Sequence, residues 1–585
     1  MEKPGTTLAA FGVLAAFISS LAYFGFIYDS YQLAKATALV LCLLVLCAAL
    51  FLSPGRYEIT PLSAAAFFLC AYTLFSSFFT PYKPGFFYTL TLLCPLLFIF
   101  VSRFGVNTGL FLTSVNAALL LSSAFGITQF ITGLYRPYSF FGNPIFFAEF
   151  TAACLPLALA SFFLYEKQRP LIAANIILAL AALLTASSRG AFISFGVSLA
   201  FFSFFAARAG AFAGLKPFFK KYLPALAILC VLVLAAPGFS HKLKSNASRL
   251  AEFASMKSEA VENRLLMSRA SLDIFKTSPV TGAGAGAVSY LYQKHQAPYL
   301  ADNPGLKFVK TSYVHNDWVH TLAEFGLIGF VLLVSFVFLV FRAFDASSAA
   351  FAKEKYIFTL GVISSFLLLC TEAFFNFPLY VLPSAALFWI LAGIIAFSCG
   401  PGRLLGLSIP SKAAAVLLLL LILPALWAMP RELASNFWMK KGFIEHSKRT
   451  NFEIDYLSKA YEINKNNYYT QALLGFSYSK IDRYEEAASW YEKALELRPN
   501  SADMLYNLGA NLRSAGRADE AEAALLSAIN LYPYFPEANM TLGKLYIDRG
   551  EEEKGLYYFS QAKKSSAYFD FDMMNTVLDF RETTQ

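Results

Sequence analysis

Arg189 stands in Ser187-Ser188-Arg189-Gly190, between two apolar runs. Arg264 stands in Glu262-Asn263-Arg264-Leu265, with Arg269 soon after it, in a polar stretch from about His241 to His320. That stretch ends in Tyr313-Val314-His315-Asn316-Asp317-Trp318, where another apolar run begins. A guanidinium is a planar fork of donors that matches a phosphate or diphosphate. An imidazole near neutral pH can take a proton from a hydroxyl or donate a hydrogen bond to it. Together these residues could hold a phosphate-bearing group beside a base. Each also has a plainer role. Arg189 could snorkel at a helix end, Arg264 and Arg269 could bind headgroups, and His315 could be an interfacial ring beside Tyr313 and Trp318.

Other polar residues are weaker candidates. Asn316 follows His315, and Asn143 lies in Phe141-Gly142-Asn143-Pro144 before a run. Glu324 is placed to cap or hydrogen-bond within a bundle. Glu149 and Glu372 are the main charges inside the apolar runs, and Glu372, near Asn376, either lines a binding site or makes a structural hydrogen bond. His320 is expected on a different helix face from His315, so a two-histidine metal site is not expected. The run Thr281-Gly282-Ala283-Gly284-Ala285-Gly286 is neither a Walker sequence nor a G-x-G-x-x-G after a strand, so a close backbone turn is expected there. The eight cysteines all fall in or at the ends of apolar runs, giving neither a disulfide framework nor metal-ligand spacing. No metal and no cofactor is implied.

The elements that must position these residues are membrane helices. The chain is 57% hydrophobic and 15% charged, against about 25% charged in a soluble domain. Runs near bilayer-spanning length recur at about 8–27, 33–53, 61–79, 85–102, 107–132, 145–165, 171–186, 190–207, 222–237, 321–341, 356–375, 380–398 and 413–429. This predicts an all-α polytopic bundle of about 12–13 spans within residues 1–430, with a loop at about 238–320. The first run is read as a retained helix rather than a signal peptide, since no small-residue cleavage site follows it. With the N-terminus inside, inner loops carry most of the lysine and arginine, including Arg56, Arg103, Lys220 and Arg342, while the short outer loops hold Lys83, Arg136 and Arg189. The long loop and everything after residue 430 are then expected on the outer face of a bacterial inner membrane. The net charge of +9 is spread over many short loops, which argues against nucleic acid.

After Pro430 the pattern becomes charged and periodic. Leu474-Gly475, Leu508-Gly509 and Leu542-Gly543 are in register at a spacing of 34 residues, as are Ala494, Ala528 and Ala562, and Tyr491 pairs in phase with Phe559. This resembles tetratricopeptide repeats, a soluble α-helical solenoid. Clear repeats run 468–501, 502–535 and 536–569 within a domain at 431–585, and Leu457 and Ala460 mark a degenerate earlier one. Such a solenoid usually exposes a concave groove, so it is read as a docking surface for a protein or glycan, with a spacer that steadies the outer loop as the plainer role.

Phe141-Gly142-Asn143-Pro144, Ser188-Arg189-Gly190, Arg264 followed by Ser278-Pro279-Val280-Thr281-Gly282, and His315-Asn316 followed by Leu322-Ala323-Glu324-Phe325-Gly326 occur in that order. In this the sequence resembles the O-antigen ligase and O-antigen polymerase family over most of residues 110–400. The resemblance implies transfer of a glycan from an undecaprenyl diphosphate carrier at the periplasmic face, without a metal. The acceptor would be a lipid A core sugar in a ligase, another glycan in a polymerase, or a protein hydroxyl in an O-oligosaccharyltransferase. Arg189 and Arg264 match the arginines that hold the diphosphate, and His315 matches the essential histidine. The repeats depart from the simplest ligase pattern and leave the acceptor class open. A reading of another class is a non-catalytic scaffold or transporter that uses the repeats for assembly. A transporter would place ionisable groups near the midplane.

Overall fold

Apolar segments in lipid find no water for their backbone groups, so they close their hydrogen bonds internally as helices. The computed structural model describes residues 21–22, 32–80, 90–235, 238–239, 241–242, 244–245, 259–400, 405–447 and 452–564. The expected span at 8–27 lies almost wholly outside the described residues, as do Lys83 and the end of the third repeat beyond 564. The apolar helices are α1 (Gln32–Leu52), α2 (Pro61–Phe79), α3 (Pro95–Phe104), α4 (Thr108–Ile131), α5 (Pro144–Leu164), α6 (Arg169–Ala186), α7 (Arg189–Arg208) and α8 (Lys216–Ala235). In the polar stretch are α9 (Glu259–Thr277) and α10 (Ala287–Asp302), followed by α11 (Asp317–Ser348), α12 (Lys353–Glu372), α13 (Leu382–Cys399) and α14 (Ser411–Ser447). Two three-residue strands, β1 (Arg56–Glu58) and β2 (Ser408–Pro410), pair antiparallel with Tyr57 opposite Ile409. Among the described residues, nine helices are long and apolar enough to cross a membrane. The expected span at 85–102 is, where described, a turn followed by the ten-residue α3. Its Pro95 sits in the first turn, where the missing N–H is no loss.

Two compact units divide the chain. The first contains 1–261, 275–287 and 313–433, and the second contains 262–274, 288–312 and 434–585. In the first, α12 packs on α5 and α7, α13 on α3, and α11 on α2. The span expected at 321–341 is not one straight helix. Gly326 has φ +62°, ψ −163°, and breaks α11 into a short leading piece and a long span. The glycine run answers the break. Ala283 N donates to Ala323 O (3.0 Å), Gly284 N to Glu324 O (2.9 Å), Leu327 N to Pro279 O (2.9 Å) and Ile328 N to Val280 O (3.2 Å). Tyr72 Oη adds hydrogen bonds to Thr281 O and Phe325 O. Thus the carbonyls and amides that a broken helix would leave unpaired are met by the turn. A Cβ on Gly282 would lie 2.3 Å from Glu324 O, and one on Gly326 would lie 2.4 Å from Gly282 N, so both must be glycine.

The second unit carries the repeats as helix pairs: α15 (Glu453–Ile463), then α16 (Tyr468–Lys480) with α17 (Tyr484–Leu497), α18 (Ala502–Ser514) with α19 (Ala518–Leu531), and α20 (Pro536–Asp548) with α21 (Glu552–Lys564). Gly475, Gly509 and Gly543 sit where a Cβ would strike Tyr491, Leu525 and Phe559 of the paired helix, the small-against-large packing that the period predicts. The degenerate repeat is also helical: Leu457 and Ala460 are buried, and Ser435 Oγ donates to Ala460 O (3.1 Å).

The same unit holds much of the polar stretch. Arg498 donates to Ser289 O (2.9 Å), Asn500 to Tyr290 O (3.0 Å), Ala502 N to Gln293 Oε1 (2.9 Å) and Tyr534 Oη to Ala301 O (3.2 Å). Phe308 stacks on Tyr532 at 4.3 Å and 7°, and Lys310 pairs with Asp503 at 2.6 Å. Gln296 ties the segment to itself through both Val309 N and Val309 O. In α9 Leu265 and Leu272 are 44% and 37% exposed, while Leu266, Ala270 and Ile274 are buried. That i, i+4, i+8 series is one helical face.

Candidate functional site around His315

His315 is placed by the start of α11. Asn316 caps the helix, its Oδ1 accepting from Val319 N (3.1 Å). Asp317, fully buried, donates its N–H to Ala373 O (2.8 Å) and accepts from Leu379 N (2.8 Å) through Oδ2. These two bonds fix the start of α11 to the end of α12 and the turn after it. His315 itself has φ +56°, a left-handed value uncommon outside glycine. Its ring meets Phe377 edge-on at 4.7 Å, and Tyr313 stacks on Phe377 at 4.8 Å. Phe377 also meets Phe146, from the first turn of α5. Asn143 caps that helix, accepting from Ile145 N (2.8 Å).

A directed chain of hydrogen bonds leads to the ring. Ser194 Oγ donates to Glu372 Oε2 (2.8 Å), and Asn376 Nδ2 donates to Glu372 Oε1. Asn376 Oδ1 lies 3.4 Å from His315 Nδ1. A carboxylate only accepts, so Glu372 fixes which end of the Asn376 amide faces it. The amide oxygen then faces the imidazole, which makes Nδ1 the protonated nitrogen and Nε2 the acceptor of a neutral ring. Ser194, Glu372 and Asn376 are all fully buried.

Arg189 begins α7, two residues after Ser187, which is also left-handed at φ +57°. Ser188 caps the helix. A cation at a helix N-terminus opposes the helix dipole, by roughly 0.3–1 kcal/mol. That cost is offset where an anion sits at the same end. Gly190 brings this turn against the relay: a Cβ there would lie 2.9 Å from both Glu372 Oε1 and Asn376 Nδ2. Ser194 is just over one turn further along, and Ser198 Oγ donates to Ser364 O (2.7 Å), so α7 is fastened to α12 along its length. Ser384 Oγ donates to Glu149 Oε2 (3.1 Å).

The first unit therefore brings together His315, Asn316, Glu372 and the turn bearing Arg189, with Asn143 linked through the aromatic contacts. Glu324 is fully buried and faces His320, 3.1 Å from its Nε2, while His320 stacks on Tyr380 at 4.0 Å. Arg264 and Arg269 belong to the second unit, half-buried and exposed respectively. In that unit Tyr299 Oη donates to Asp273 Oδ2 (2.6 Å), joining α10 to the helix that carries both arginines. Ser194, Asn376 and Asp317 are the members that sequence reasoning missed as site residues. Ser194 is an ordinary serine inside an apolar run, and only its buried carboxylate partner marks it.

Residues 174–334 match the family described as O-antigen ligase, and residues 466–533 match the tetratricopeptide repeat. Both resemblances read from the sequence are thus borne out, and the first supports a ligase-like, glycosyl-transferring membrane enzyme. Among curated proteins, the chain is similar to the peroxisomal targeting signal receptor of Saccharomyces cerevisiae, 27% identical over 134 residues, covering 23% of this chain and 22% of that protein. It is also similar to DnaJ homolog subfamily C member 7 of Mus musculus, 27% identical over 113 residues, 18% of this chain and 23% of that protein. The chain spans only about a fifth of the length of these relatives. Solved structures of MamA are similar over 22% of this chain and 77% of theirs, at 24% identity and a TM-score of 0.22. A MamA structure from Desulfovibrio magneticus is similar over 25% and 83%, at 16% identity and the same TM-score.

Proposed function

We propose that this protein moves a glycan from an undecaprenyl diphosphate carrier to an acceptor hydroxyl at the periplasmic face of the inner membrane. The observation that carries the reading is the relay from Ser194 through Glu372 and Asn376 to His315, which leaves the imidazole with Nε2 as its basic nitrogen. The acceptor O–H gives its proton to Nε2, and its oxygen attacks the anomeric carbon. The bond from that carbon to the diphosphate oxygen breaks, and the electron pair leaves with the diphosphate. A positioned base contributes roughly 10²–10⁴-fold to such a step. Arg189 neutralises the charge gathering on the diphosphate, the role that the family resemblance gives to it and to Arg264. Two of the left-handed non-glycine residues, Ser187 and His315, belong to the segments that carry Arg189 and the imidazole, and backbone strain is often found at working sites.

The test is a transfer assay with membranes and a lipid-diphosphate-linked oligosaccharide. The expected products are the acceptor glycoside and free undecaprenyl diphosphate in equal amounts. Release of lipid monophosphate, or no transfer with any hydroxyl acceptor, would overturn the reading. The product also separates the acceptor classes: a single capped lipid A core for a ligase, a ladder of lengthening chains for a polymerase, and a glycosylated protein for an O-oligosaccharyltransferase.

A further inference from the structure

A second cationic site lies in the first unit, away from His315. Arg342 lies on α11 roughly 25 Å beyond the break at Gly326, at 1.5 Å per residue. There a cavity of about 640 Å³ is lined by Arg56, Arg103 and Arg342, with Glu58 as its one lining carboxylate. That volume is typical of small-molecule sites. The remaining wall is largely apolar and includes Leu62, Leu339, Ala396 and Phe397.

The arginines are held in place. The β1–β2 ladder sets Arg56 opposite Pro410, and Arg56 donates from Nε to Ser408 Oγ (2.7 Å) and from Nη2 to Ser408 O (2.9 Å). Tyr57, between Arg56 and Glu58, is buried and hydrogen-bonds Ser102 (3.1 Å), the residue before Arg103. Arg103 Nε is buried and has no hydrogen-bond partner among the described residues. A buried donor of a charged group left without an acceptor is costly. Arg342 lies 3.7 Å from Asp345, a loose and exposed pair that leaves most of its donors to other acceptors.

The geometry points to a binding site for a phosphate headgroup carrying an acyl chain, that is, for an anionic phospholipid. Three guanidinium groups against one carboxylate select a negative headgroup, and Arg103 Nε gains the acceptor it lacks. The apolar wall takes the start of the chain. A free phosphate or diphosphate would use the guanidinium groups but leave that wall unused.

The full chain in phosphatidylcholine nanodiscs, titrated with phosphatidylglycerol and separately with inorganic diphosphate, tests this by thermal shift and by mass spectrometry of retained lipid. Phosphatidylglycerol should bind in preference to phosphatidylcholine. Arg103→Gln and Arg342→Gln should each weaken it by about fivefold, whereas Arg208→Gln, an arginine at a helix end that does not line the cavity, should not. If Arg103→Gln fails to fold, Arg342→Gln decides alone, because its side chain is 63% exposed and carries no core. Equal retention of both lipids, unchanged binding by the Arg342 variant, or inorganic diphosphate binding as tightly as the lipid would each overturn the proposal.

Discussion

At the scale of single residues, the site depends on which way one amide points. Glu372 accepts from Asn376 Nδ2, and this turns the Asn376 oxygen toward His315. In Glu372→Gln the new side chain can offer either an oxygen or an NH₂, so Asn376 is free to flip and His315 loses its fixed tautomer. We expect the transfer rate to fall by between about 10²- and 10⁴-fold with little change in donor KM. A loss seen only in KM would mean that Glu372 binds donor rather than orients the base. Arg189→Lys keeps the charge but loses the fork. It should raise donor KM and lower kcat, measured with the same lipid-linked donor, and wild-type kinetics would remove Arg189 from the diphosphate. The types Arg, His and Glu were legible in the sequence as candidates. The relay was not, because its links join α7, α12 and the turn after α12, and a serine or an asparagine in an apolar run looks like any other.

At the scale of elements, the broken α11 is the feature that hydropathy hid. A window average reads 321–341 as one span because a single glycine barely lowers it. The break costs no unpaired backbone because the glycine run supplies partners on both sides of Gly326. Gly326→Ala must place a Cβ 2.4 Å from Gly282 N and from Val280 O. The backbone penalty alone is about 1–3 kcal/mol, and the clash adds to it. We expect a large fall in the Tm of the detergent-solubilised protein, while Gly196→Ala, which meets nothing within 4 Å in the middle of a helix, should be neutral or slightly stabilising. Equal Tm for the two variants would show that the break is not held as described. Helix existence and the repeat register were legible because periods of 3.6 and 34 residues repeat many times.

At the scale of the whole molecule, the repeats have work within their own chain. Their inter-repeat turns and the adjoining helix ends hold the segment 288–312 through Arg498, Asn500, Asp503 and Tyr532. Of the two roles read from the sequence, this favours steadying the loop. The Phe308–Tyr532 stack is worth about 0.5–1.5 kcal/mol beyond its buried area. Tyr532→Ala should therefore speed hydrogen exchange across 288–312 while leaving α16 and α17 protected, and unchanged exchange would contradict the clamp. Removing residues 434–585 should lower transfer even to a small soluble acceptor. Full transfer to such an acceptor, with loss only toward a macromolecular one, would instead make the repeats an acceptor-docking surface.

The proposed transfer depends most directly on His315. In membranes supplied with lipid-diphosphate-linked glycan, His315→Ala should be made and inserted at wild-type levels. It should still bind donor but transfer glycan at least about 10²-fold more slowly. Transfer at the wild-type rate by that variant would contradict the account.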